Sequence, residues 1–107
     1  MDRRLFQTQA DWTTLTEGFA WPVADHFNIA RLCCDDWAAR VPDQVAIIHR
    51  LPDGGRQTWT YAALKRASDG LAAALRAKGV RRGDRVAILL AQAPEVLVAH
   101  FAAMKLG

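Results

Sequence analysis

The stretch "GDRVAILLAQAPEVLVAHFAAMKLG", residues 83–107, decides how the rest of the chain is read. From Val86 to Ala91 the apolar run is unbroken. A strand with one wet face alternates apolar and polar residues, and this one does not. The run therefore predicts a strand over 85–91 covered on both faces, the usual condition of a central parallel strand. Pro94 fits a first helical position, where its missing N–H costs nothing, and Glu95 suits the positive first turn. Val96, Leu97, His100, Phe101 and Met104 predict the apolar face of the helix that follows. Together these residues read as an interior piece of a sheet.

Working back, residues 61–78 predict a long amphipathic helix with Leu64, Ala67, Leu71, Ala74 and Leu75 as its stripe. Thr60 is its expected N-cap and Gly79 its stop. Ala63 stands where a reciprocal capping box needs Glu or Gln. Before it, "QVAIIHR" and "RQTWT" flank "LPDGG", which is turn chemistry, so the three predict a hairpin. A further helix is expected from the cap Asn28 to Pro42, with Ile29, Leu32, Cys33, Trp37 and Val41 facing inward. Residues 1–27 read as an arm, with one or two helical turns between Asp11 and Gly18. Its Trp12, Phe19 and Trp21 are too many aromatics to leave in water, so they are expected to lie on a protein surface. The order is helix, hairpin, helix, strand, helix: an α/β arrangement in which the return strand, the long helix and strand 85–91 form a βαβ unit.

The composition fits a folded chain. Hydrophobic residues make up 51% and charged residues 23%, which argues against disorder. At 107 residues the chain is at most one domain with a thin core. Charge is uneven. Residues 1–44 hold seven acids and four bases, and residues 45–107 hold four acids and ten bases. The densest basic run, "RAKGVRRGDR" at 76–85, reads first as a solvated helix end whose cations complement the helix dipole. Phosphate or nucleic-acid binding is the competing reading, but no aromatic residues interleave with the bases as a stacking surface needs. Cys33 and Cys34 are adjacent, and a bridge between neighbours is strained, so no disulfide framework exists and a reducing compartment is expected. The first residues lack the apolar core of a signal peptide, and no run reaches the ~20 apolar residues of a membrane span. The expected location is the cytoplasm.

The residues themselves disclose no active site. "PDGG" lacks the lysine and following helix of a phosphate loop. His26, His49 and His100 are far apart and have no partner at metal-ligand spacing. Asp35 and Asp36 are sequence neighbours that point apart on a helix, a poor acid–base pair. The only serine, Ser68, lies within a helix, without a nucleophile elbow.

Three stretches, "FNIARLCCDDWAARVPDQVAII", "TWTYAALKRASDGLAAALRAKGVRRGDRVAILL" and "APEVLVAHFAAMKLG", together resemble the beginning of AMP-forming acyl-CoA synthetases. This is the adenylate-forming superfamily that also holds luciferases and nonribosomal-peptide adenylation domains. The resemblance runs over residues 25–107. "FNIA…CCDDWA" is similar to the acetyl-CoA and medium-chain acyl-CoA synthetase branch. It implies residues 28–107 as the beginning of a large N-terminal AMP-binding domain, incomplete here, with 1–27 as its arm. It also implies a two-step reaction in the full-length parent. A carboxylate attacks the α-phosphate of Mg-ATP to give acyl-adenylate and pyrophosphate, and the thiol of coenzyme A then displaces AMP.

The family's phosphate loop with its lysine, its aromatic-Thr-Glu segment, its ribose-binding aspartate and its catalytic lysine all lie downstream of the matched stretches. The resemblance therefore assigns no catalytic, cofactor-binding or metal residue within 1–107. ATP, Mg2+ and coenzyme A are expected for the parent and none of them on this stretch. The expected partners are a carboxylic-acid substrate for the parent, the remainder of the same enzyme, and a second copy through the apolar strand and helix. The alternative is a non-catalytic interaction module built from the same elements.

Overall fold

The computed structural model describes residues 11–17, 19–21 and 23–107. A short helix, α1 (Trp12–Glu17), follows Asp11, as expected; its expected stop, Gly18, and residues 1–10 lie outside the described residues. Phe19 and Trp21 meet edge to face at 4.9 Å between ring centres. Trp12 and Trp21 are nonetheless 79% and 74% exposed, so the described residues do not supply the expected surface for these indoles.

Asn28 starts the next helical segment as predicted. Its Oδ1 accepts the Arg31 N–H at 3.2 Å, satisfying a donor that no helical carbonyl can reach. The same side chain donates from Nδ2 to the Met104 carbonyl at 2.5 Å, tying this helix start to the other end of the chain. A π-helical turn, Arg31–Asp35, then runs into α2 (Asp36–Arg40). Pro42 and Gln44 lend their carbonyls to Ala62 N–H and Tyr61 N–H at 3.0 Å each, so the loop after α2 also caps the next long helix. Trp37 stacks on Tyr61, 5.5 Å between centres, with the Arg40 guanidinium over its ring.

The hairpin forms as its turn chemistry requires. Strands β1 (Val45–Arg50) and β2 (Arg56–Thr60) are antiparallel, with Ile47 opposite Trp59 and His49 opposite Gln57. The register shifts between Val45 and Ile47. A shift of one residue breaks the strict alternation of faces, and Ala46 and Ile47 both pack against the core. Gly54, at φ +84°, makes the turn, and the Asp53 carboxylate accepts the Gly55 N–H at 2.8 Å.

Helix α3 (Tyr61–Ala77) matches its expected span to one residue. Thr60 Oγ1 caps it through the Ala63 N–H at 3.2 Å. Gly79, at φ +95°, closes it. Gly79 N–H bonds the Arg76 carbonyl and Val80 N–H bonds that of Leu75, the double bond of a Schellman stop. Helix α4 (Pro94–Leu106) starts at Pro94 as expected. The core joins Ala30, Cys34, Leu64, Val98 and Phe101, with Ile47, Trp59 and Leu71 packed around it.

Three expectations need correction. The first is the strand at 85–91 and, with it, the βαβ unit. The only sheet among the described residues is the pair β1–β2, and 85–91 forms neither a ladder nor a helix. Leu89 is 98% exposed and Leu90 54%. A strand has no hydrogen-bond partners of its own, and no described strand runs beside this one to supply them. The helix–hairpin–helix–helix core of the α/β arrangement is present; the second strand pairing is not.

The second correction is the inward face of the helix after Asn28. Ala30 and Cys34 are fully buried, whereas Cys33, Ile29 and Leu32 are exposed. The helix is apolar on two adjoining sides, and the side with small residues comes closest to α3 and α4.

The third is α4, where Pro94, Val98, Phe101 and Ala102 are buried while Leu97 and His100 are exposed. Apolar residues surround this helix, so periodicity does not select one face. On α3, similarly, Ser68 and Ala72 are buried and Ala74 is exposed.

Candidate functional site

The one concentration of charged groups in the described interior lies where the π turn, α3 and α4 meet. Lys105 comes from the last turn of α4. Its ammonium stands 2.7 Å from Asp35 Oδ1 and 2.6 Å from Asp69 Oδ1, and it donates to Ser68 Oγ at 2.9 Å. Asp69 also takes a 2.5 Å bond from Lys65, one helical turn earlier on α3. The Ser68 hydroxyl donates to the Lys65 carbonyl. The approach to Asp35 is close but poorly aligned for a hydrogen bond, so it acts chiefly through charge. One cation thus answers two carboxylates on two other elements.

The electrostatics make this junction chemically quiet. Burial opposes the charge on Lys105, but its contacts with Asp35 and Asp69 outweigh that and hold its pKa above the ordinary lysine value. Burial likewise opposes ionisation of Asp69, yet the hydrogen bonds from Lys105 and Lys65 outweigh it and hold the carboxyl below its usual range. Burial pushes the Cys34 thiol up, against the opposing pull of Lys105. At neutral pH the lysine is charged, the aspartate ionised and the thiol protonated. A general base or nucleophile needs the opposite poise. The geometry is that of a clamp.

The structure keeps apart the residues singled out from sequence. Asp35 faces Lys105, while Asp36 pairs with Arg31 at 3.4 Å. His26 is exposed, and His100 Nδ1 contacts the Val96 carbonyl of its own helix at 2.7 Å. His49 sits on β1, with its Nδ1 buried and unbonded. Among the described residues no group of three His, Cys, Asp or Glu side chains could hold a metal ion. No described helix is long and apolar enough to cross a membrane. In the basic run, Asp84 accepts the Arg81 N–H at 2.8 Å, and Arg81, Arg82 and Arg85 are exposed, as expected of a solvated turn. An open groove beside this turn is lined by Phe27, Ile29, Arg82 and Met104.

Sequence reasoning missed Lys105, Asp69 and the buried Ser68. A signal was present. Lys105 lies four residues after Phe101, on the stripe that becomes buried, and Ser68 sits four after Leu64. A lone polar residue at a core position asks for a partner on a facing element.

The two-helix seam, the hairpin on its edge and the uncovered apolar stretch define a piece of an α/β domain, and comparison with known proteins gives its class. The family described as AMP-binding enzyme matches residues 34–107. The chain belongs to that family. Its relatives narrow the likeness to one kind of ligase. Over its whole length it is 35% identical to the acetyl-coenzyme A synthetase of Penicillium chrysogenum, covering 17% of that protein. It is 36% identical over 95% of its length to the acetyl-coenzyme A synthetase of Emericella nidulans, covering 15% of it. A bacterial acetyl-coenzyme A synthetase, from Novosphingobium aromaticivorans, is 35% identical over 84% of the chain, which covers 14% of that protein. The chain thus spans about one sixth of the length of these curated relatives.

Proposed function

We propose that this chain is the N-terminal part of a cytoplasmic, ATP-dependent acyl-CoA synthetase, with residues 1–27 as an arm and 28–107 as the beginning of its AMP-binding domain. The parent enzyme activates a carboxylate as acyl-AMP and passes the acyl group to coenzyme A, using ATP and Mg2+. The observation that carries this reading is the alignment of the whole chain with acetyl-coenzyme A synthetases.

In this reading residues 28–107 are scaffold. None of them touches the reacting atoms, and ATP, Mg2+ and coenzyme A are held by other parts of the enzyme. The quiet electrostatics of Lys105, Asp69 and Cys34 support that role. So does the exposed stretch from Val86 to Leu90, whose apolar side chains suit contact with the remainder of the enzyme. Isolated, the 107-residue chain is expected to be inactive and to self-associate through that stretch and the outer face of α4.

The test is carboxylate-dependent ATP–pyrophosphate exchange by the longest product of the reading frame that encodes this chain. Exchange with acetate or a medium-chain acid is expected. Absence of exchange with every carboxylate in that range would overturn the assignment.

A further inference from the structure

We draw no further inference here: the strongest candidate, the exposed apolar stretch Val86–Leu90 between α3 and α4, is an unpartnered face, and nothing in the structure shows what covers it.

Discussion

Two regions of similar apolar content end in opposite environments. Along the seam of α3 and α4, Leu64, Val98, Phe101 and Ala102 are buried, and Lys105 is held between two carboxylates. Between the same two helices, the run from Val86 to Ala91 is mostly in water. The difference lies in what each region needs. A helix satisfies its own backbone, so it needs only one complementary face to pack. A strand covered on both sides needs a ladder neighbour and two layers of side chains. The described residues meet the first requirement and not the second.

The largest test of this contrast is Phe101→Ala. Phe101 is 8% exposed at the centre of the seam, and its loss should cost about 3–5 kcal/mol in denaturant unfolding. Leu97→Ala, on the open side of the same helix, should cost much less in the 107-residue chain. If the two variants are equally destabilised, the seam is misplaced.

Next comes Lys105→Met, which leaves Asp35 and Asp69 without their shared cation. Its side chain is 11% exposed and that of Asp69 43%, so the expected cost lies between the surface and buried limits, about 1–3 kcal/mol. The pH dependence follows from the shifts. Asp69, with its folded pKa below the ordinary 3.8, contributes stability that is present above that value and lost as pH falls through the folded pKa. Lys105, raised above 10.5, contributes stability that is complete below that value and lost as pH rises through the folded pKa. In Lys105→Met, unfolding measured from neutral pH upward should lose the alkaline component. A wild-type alkaline profile in the variant would remove Lys105 from the clamp.

Asn28→Ala should cost roughly 1 kcal/mol, the worth of a helix cap, plus the bond to Met104 O. Thermal unfolding reads this. A neutral result would show that solvent caps this helix as well as Asn28 does.

The smallest stability effect is expected from Leu89→Lys, within about 0.5 kcal/mol, because the residue is 98% exposed. Its effect on association should be visible by light scattering, as a shift of the isolated chain toward monomer. In the full-length polypeptide the same change should become destabilising. Equal tolerance in both would mean that the stretch faces water in the parent as well.

Legibility from the sequence tracked how self-contained each signal is. The Asn28 and Thr60 caps, the Asp53–Gly54 turn and the Gly79 stop were all readable, because each satisfies backbone groups within a few residues. The ends of α3 and the hairpin strands followed from them. The helix faces were less legible. Ile29, Leu32 and Cys33 form as good a stripe as Ala30 and Cys34, and only the second was chosen. The Lys105 junction was the least visible, since its three charged centres, Asp35, Asp69 and Lys105, are 34 and 36 residues apart in sequence and Lys105 sits at the end of an otherwise greasy helix.

The sequence by itself determined where helices begin and end, where the hairpin turns, and which family the motifs resemble. These depend on capping, φ preference and residue order, all local properties. Only the tertiary structure decided which side of each apolar helix is buried, that Cys34 rather than Cys33 joins the core, and that Lys105 bridges Asp35 and Asp69. It also decided that 86–91 stays unpaired within these residues. Burial and strand pairing require a partner surface distant in sequence, and periodicity carries no information about where that partner lies.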